Sequence, residues 1–190
     1  MSSVQVRRTR IAGVLVMEPE PVRDERGWFA RTFDADLARE HGVRAEDFLQ
    51  DSVSRSHRGV VRGLHVRTGE GEAKLVRCSR GALYDVVVDL RVGSPTYGEW
   101  EGFELSEESL RSVYIPAGCA HGFQALREPS DTSYRIDRRH DPAASLAIAH
   151  DDPDIAVAWP LPVALLSAND RAAPRLSEVR HLLGPALGAR

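Results

Sequence analysis

His65 and Lys74 are the two residues of this chain best suited to abstracting a proton next to an anion stabiliser. Lys74 is the only lysine in 190 residues, against 24 arginines, so ordinary charge balance does not account for it. A lysine is a compact ammonium whose three donors can meet a developing point charge, whereas arginine is a planar fork. Histidine titrates near neutrality and can take a proton from a carbon acid. His65 closes Arg62-Gly63-Leu64-His65, and Lys74 opens Lys74-Leu75-Val76-Arg77. Both segments read as strands, so a histidine and a unique lysine on neighbouring strands suggest proton abstraction next to an anion stabiliser. A surface lysine left by an arginine-biased composition is the plainer alternative.

The elements that must hold these residues are short strands with turn punctuation, the pattern of a sandwich or barrel. Val60–Arg67, Lys74–Cys78, Ala82–Leu90 and Ser112–Ile115 are the clearest, and Gly122–Leu126 and Thr132–Ile136 continue the series. Gly81, Gly93-Ser94-Pro95 and Pro116-Ala117-Gly118 separate them. In Ala82–Leu90, alternation sets Leu83, Asp85, Val87 and Asp89 on one face and Tyr84, Val86, Val88 and Leu90 on the other. Carboxylates on one side of a strand suggest a partly polar lumen, or simply a wet face. Alternation in Val60–Arg67 puts Arg62 and His65 on opposite faces unless a bulge at Gly63 brings both inward. Helices are expected only at Asp34–His41, stopped by Gly42, and at Ser177–Leu183, capped by Ser177. Asp151 through Pro162 reads as a proline-rich crossing segment.

The chain is long enough for one domain, residues 1–190, with a real core. A hydrophobic content of 42%, a charged content of 28% and a net charge of -3 describe an ordinary globular protein. The arginines are scattered, so nothing forms a footprint for nucleic acid. Arg7, Arg8 and Arg10 before Ile11–Met17 faintly imitate a signal peptide, but Glu18 ends the run and no cleavage site follows. That run is expected to be the first strand. No stretch is long enough to span a bilayer. Cys78 and Cys119 lack framework or metal spacing and read as reduced core cysteines of a cytoplasmic protein.

Pro116-Ala117-Gly118-Cys119-Ala120-His121 presents a second histidine just after a tight turn. With Arg62-Gly63-Leu64-His65, it resembles the two motif regions of the cupin superfamily. That resemblance implies an all-β double-stranded β-helix, the cupin jelly roll, with short peripheral helices. Metal-binding cupins usually carry a second histidine where this chain has Arg67, which cannot be a ligand. His65, Glu72 and His121 could still supply three ligands, but a polar pocket without metal or other cofactor is the expectation.

A longer series of segments is similar to the nucleotide-sugar 3,5-epimerase family. It comprises Asp24-Glu25-Arg26-Gly27-Trp28-Phe29, Gln50-Asp51, Arg58 through His65, Lys74 through Arg77 and Asp85 through Arg91. It continues with Gly93 through Thr96, Ile115 through Gly118, Ala120 through Phe123, Trp159-Pro160-Leu161 and Asp170-Arg171. The resemblance implies the following roles. His65 is the base that takes the proton beside the C4 ketone, and Asp170 orients its imidazole. Lys74 donates to the ketone oxygen as it becomes an enolate, and Tyr134 delivers a proton to the opposite face. Arg62, His121, Gln50 and Phe29 line the substrate site, and Arg26 contacts the nucleotide. The family also implies a homodimer with N-terminal strand exchange, from which Arg26 could reach a partner's site.

The departures from the family fall in recognition. After Tyr134, the usual aromatic pair is replaced by Asp137-Arg138-Arg139-His140. Arg31 stands at an acidic position, Ser52 and Asn169 replace an asparagine and a lysine, and Ala144 and Ser145 occupy a stretch where a glutamate is usual. Guanidinium groups at Arg31, Arg138 or Arg139 could stack on a base or grip phosphate, or could be solvated charges. The reading is therefore an epimerase of a nucleoside-diphosphate 4-keto-6-deoxyhexose, dTDP-linked in the family. A ketoisomerase, a metal-dependent oxygenase and a non-catalytic sugar-nucleotide-binding cupin are the alternatives.

Overall fold

A computed structural model describes residues 3–183. The strands are β1 (Ser3–Arg8), β2 (Leu15–Glu20), β3 (Val22–Asp24), β4 (Gly27–Phe29), β5 (Gln50–Ser56), β6 (Val61–Arg67), β7 (Lys74–Arg80), β8 (Ala82–Asp89), β9 (Trp100–Ser106), β10 (Ser112–Ile115), β11 (Cys119–Ala125), β12 (Ser130–Ile136) and β13 (Ser145–Ala147). They form an antiparallel sheet ordered β1-β2-β10-β7-β12-β5, a second ordered β13-β6-β11-β8-β9, and the separate hairpin β3-β4. The two large sheets make the cupin jelly roll.

Strand periodicity divides the burial into three layers. Between the sheets lie Val76, Cys78, Leu83, Val87, Phe103, Leu105, Val113, Ile115, Cys119 and Phe123. Outside the five-stranded sheet, Leu64, Val66, Val86, Val88 and Leu90 pack against Ile148, Ile155, Leu176 and Val179 of the C-terminal segment. Outside the six-stranded sheet, Leu15, Met17 and Leu75 are covered by Ala38, Val43, Phe33 and Phe48. The face of β8 with Leu83, Asp85, Val87 and Asp89 turns inward, and both carboxylates are fully buried, so they do not face water.

Asp89 serves the architecture. Its carboxylate takes two bonds from the Arg91 guanidinium, at 2.8 Å each, one from the Arg91 N–H at 3.1 Å, and others from the hydroxyls of Ser94 and Thr96, fastening the Gly93-Ser94-Pro95 turn. Burial alone would raise this carboxyl, but the Arg91 guanidinium and the two hydroxyls outweigh it and hold it at about 2. Burial pushes the Cys78 and Cys119 thiols up to about 11 and about 12, the state of inert core cysteines.

Several expected boundaries differ. Ile11–Met17 is not the first strand: β1 precedes it, Ile11 and Val14 plug the turn between β1 and β2 with fully buried side chains, and only Leu15–Met17 belong to a strand, β2. β11 begins at Cys119 rather than Gly122, so His121 lies within the strand. Helix α1 (Ala35–Glu40) is capped by Asp34 as its sequence suggests, and α2 (Ala168–Arg171) is a single turn capped by Ser167. Helix α3 (Leu176–Val179) starts before Ser177, which therefore caps nothing. The Arg175 N–H instead donates to Glu178 at 2.7 Å, and Leu176 N–H to the buried Asp152 at 2.7 Å.

Candidate active site

The pocket depends on an irregularity in β6. His121 of β11 stands opposite His65, but Phe123 stands opposite Arg62. Two steps on β11 thus match three on β6, a bulge centred on Gly63. Gly63 has φ +124, and a Cβ there would lie 2.5 Å from the Gly122 Cα; only glycine fits. The extra residue puts Arg62 and His65 on the same face, toward the lumen.

His65 Nε2 is 2.6 Å from Asp170 Oδ1. The segment carrying Asp170 is registered along β6 by a parallel bridge between Val60 and Leu165 and a 3.1 Å bond from Val61 N–H to the Leu165 carbonyl. Ser167 then starts α2 and delivers Asp170. Burial would raise this carboxyl, but the hydrogen bond and charge of His65, with help from the Ser167 hydroxyl and the Gly63 N–H, hold it below the usual carboxylate range. Asp170 is therefore ionised and accepts the Nε2 proton, leaving the Nδ1 lone pair as the basic site.

Lys74 opens β7 on the opposite wall. It shares a face with Val76 and Cys78 of the inner core, and stands between Ile115 of β10 and Ile136 of β12. Its ammonium lies 3.0 Å from Glu72. Tyr134 is opposite Val76 on β12 and packs against the inner core. Gln50 and Ser52 extend the same two rows onto β5. His65 thus reaches the lumen from one sheet, and Lys74 and Tyr134 from the other.

His121 is buried with its Nε2 2.7 Å from Asp85, and its ring lies 6.3 Å from that of Phe123. Sequence reasoning grouped Asp85 with Leu83, Val87 and Asp89 on one face, left open whether that face was lumen or wet surface, and did not pair it to His121. The signal was the alternation of β8 read beside that of β11. Asp85 Oδ2 is buried without a partner, so the floor of the lumen carries an unmatched acceptor.

The other sequence-derived residues lie at the rim of this group or outside it. Arg62 is exposed and bridges the sheets at their open side, donating to the Ser56 hydroxyl at 3.1 Å and the Arg55 carbonyl at 3.0 Å. Arg26 and Phe29 stand exposed on the β3-β4 hairpin, Phe29 at 68%, and this chain does not fold them into its own lumen. Arg31 pairs with Asp34 at 2.7 Å. Arg138 pairs with Asp137 and Glu70 in a cavity of about 680 Å³, lined also by Arg44, Arg91 and Tyr114 outside the six-stranded sheet. Among the described residues no three His, Cys, Asp or Glu side chains converge as a metal site requires. His65 and His121 each face an aspartate, and Glu72 faces cations.

A sequence profile of the dTDP-4-dehydrorhamnose 3,5-epimerase family matches residues 8–178. The chain belongs to that family. It is a carbohydrate epimerase built on the cupin fold. A dTDP-4-dehydrorhamnose 3,5-epimerase of Methanothermobacter thermautotrophicus is 42% identical over 90% of this chain and 94% of its own length. A dTDP-4-dehydrorhamnose 3-epimerase of Streptomyces niveus is 43% identical over 93% and 86%. The crystal structure of the Legionella pneumophila dTDP-6-deoxy-D-glucose-3,5-epimerase with dTDP-4-keto-L-rhamnose superposes with a TM-score of 0.92. It is 38% identical and covers 98% of this chain and all of that one. The family thus spans epimerases named for two carbons and for one, on a common scaffold.

Proposed function

We propose that this chain inverts C3, C5 or both of a dTDP-linked 4-keto-6-deoxyhexose in deoxysugar biosynthesis. His65, oriented by Asp170, removes the proton beside the C4 ketone. Lys74 donates to the ketone oxygen as the enolate forms, and Tyr134 returns a proton from the other wall. The observation that carries this reading is the convergence of the His65–Asp170 dyad and Lys74 on one lumen from opposite sheets. A carbon acid needs a base and preorganised positive charge together, and one such donor is worth on the order of 10²–10³ in rate. Gln50, Arg62 and His121 line the substrate site.

The same reading includes a homodimer. Trp28, Phe29 and Val22 of the β3-β4 hairpin and Val53 of the edge strand β5 are exposed apolar side chains, and a second copy would cover them. In that dimer Arg26 and Phe29 reach the partner's nucleotide site. No helix among the described residues is long and apolar enough to cross a membrane, and two free buried cysteines suit the reducing cytoplasm.

The test is incubation with dTDP-4-keto-6-deoxyglucose in D₂O, following deuterium at C3 and C5 by NMR. Exchange at either carbon is expected, lost in Lys74→Ala, with reprotonation impaired more than proton removal in Tyr134→Phe. No exchange by the wild type removes the reading, and full exchange by Lys74→Ala removes the role of that lysine. The product spectrum also separates epimerisation from ketoisomerisation.

A further inference from the structure

Lys74 and His65 sit on consecutive strands, and one carboxylate ties those strands together at the mouth of the lumen. Glu72 Oε1 lies 3.0 Å from Lys74 Nζ, and Glu72 Oε2 lies 3.6 Å from Arg67 Nη1. Separate oxygens serve the two cations, so both contacts exist at once. Arg67 follows His65 by two residues on the same face of β6, and is itself held by the Arg139 carbonyl at 2.9 Å and by Asp141 at 3.8 Å. The side chains of Arg67, Glu72 and Lys74 are each less than one fifth exposed, at 17%, 18% and 13%.

We propose that Glu72 is a positioning residue for the epimerase reaction: it aims the Lys74 ammonium at the enolate oxygen, and Arg67 keeps Glu72 from cancelling the charge that Lys74 brings. This rests on the reading that Lys74 meets the enolate. A lysine stem has four rotatable carbons and no preferred direction of its own. Fixing one of its three donors on Glu72 leaves two for the substrate. A lone Glu–Lys pair would be neutral and would offer little to a developing anion. Arg67 lies closer to Glu72 than to the half-exposed Asp141, at 3.6 Å against 3.8 Å, so it offsets part of the Glu72 charge and leaves the ammonium more of its own beside the ketone. The unpaired alternative is costly in another way, because without Glu72 two like charges would share a poorly solvated site.

Lys74 being the only lysine makes this testable apart from turnover. Protein labelled with ¹³Cε-lysine gives one lysine side-chain signal, and an ordered ammonium shows two inequivalent ε-protons. Glu72→Gln keeps the shape and a hydrogen-bonding oxygen but removes the charge, while Glu72→Ala removes both. The expected order of kcat for deuterium exchange is wild type, then Gln, then Ala. The alanine loss is on the order of 10- to 100-fold, as misplacement of a catalytic group produces, with KM little changed. The ε-protons should become equivalent in Glu72→Ala and stay distinct in Arg67→Gln, which should nevertheless exchange more slowly. An unchanged kcat or unchanged ε-proton splitting in a folded Glu72→Ala overturns the positioning role. Should that variant not fold, an unchanged kcat in Glu72→Gln does the same. A wild-type rate in Arg67→Gln overturns the charge-screening half. A wild type without exchange would sink the proposed reaction instead, while the labelled lysine would still report whether Glu72 orders it.

Discussion

His65 and His121 face each other directly across β6 and β11, yet each imidazole turns to a different aspartate. His65 meets Asp170, carried 105 residues further on, at 2.6 Å, and His121 meets Asp85 of the adjoining strand at 2.7 Å. The two dyads differ in access: the His65 side chain is 41% exposed and that of His121 only 9%. A base must touch its substrate, so the open dyad suits proton abstraction. The closed one suits shaping the floor of the pocket and supplying fixed polarity beneath the sugar.

Asp170→Asn should separate orientation from folding. The amide is nearly isosteric, and Ser167 can still cap α2, so circular dichroism should be unchanged. An amide can no longer stabilise the imidazolium and can hold the wrong tautomer, which in triads costs up to about 10⁴ in rate. Deuterium exchange should fall on the order of 10³-fold or more at neutral pH. A loss below about tenfold would mean that Asp170 does not support His65.

Gly63→Ala is expected to damage both stability and activity. The new Cβ would meet the Gly122 Cα at 2.5 Å and the His121 carbonyl oxygen at 2.9 Å, in a backbone conformation with φ +124. Both contacts are backbone, so no side chain can move aside. The expected cost exceeds about 2 kcal/mol in denaturant unfolding. Gly42→Ala is the control: its φ is also positive, but its Cβ would meet nothing within 4 Å. It should cost about 1 kcal/mol and leave exchange intact.

Asp89 links stability to acid. Its folded value of about 2 lies below the ordinary aspartate value of about 3.9. A depressed carboxyl stabilises the fold fully above its ordinary value, and the contribution is lost as pH falls from there through about 2. Asp89→Asn should therefore destabilise the protein at pH 7 by on the order of 2 kcal/mol. The gap from wild type should close as pH approaches 2. Urea unfolding at pH 7 and pH 3 checks the sign: a gap that widens in acid would contradict it.

Much of this architecture was legible in the sequence because strand alternation is a local property. The two faces of β8 follow from spacing, though not which of them turns inward, and Gly63 marked its bulge because no other residue suits that backbone. The His65–Asp170 pair came only through family resemblance, since no local pattern connects residues so far apart on a one-turn helix. Asp85 was grouped with the correct neighbours on its strand but without its partner, because pairing depends on the register of β8 against β11. Ser177 was misread as a cap since the acceptors that start α3 come from Glu178 and the distant Asp152. Arg138 looked available for a ligand, but folding brings Asp137 and Glu70 to it.

The last expectation concerns the exposed hairpin. Arg26 lies on β3-β4 with its guanidinium against Asp24 and a side chain 85% exposed, far more open than any group lining the lumen. If the hairpin completes a partner's site, Arg26→Ala and His65→Ala are each defective, but in different sites of a mixed dimer. A heterodimer of the two variants carries one site with both lesions and one with neither. Mixing the inactive proteins under conditions that exchange subunits should then restore up to about a quarter of wild-type exchange. Half the dimers are mixed at equal input, and each recovers one of its two sites. If Arg26 instead serves its own chain, every site keeps one lesion and mixing restores nothing. The return of deuterium incorporation on mixing, with dimer content followed by sedimentation, decides between the two arrangements.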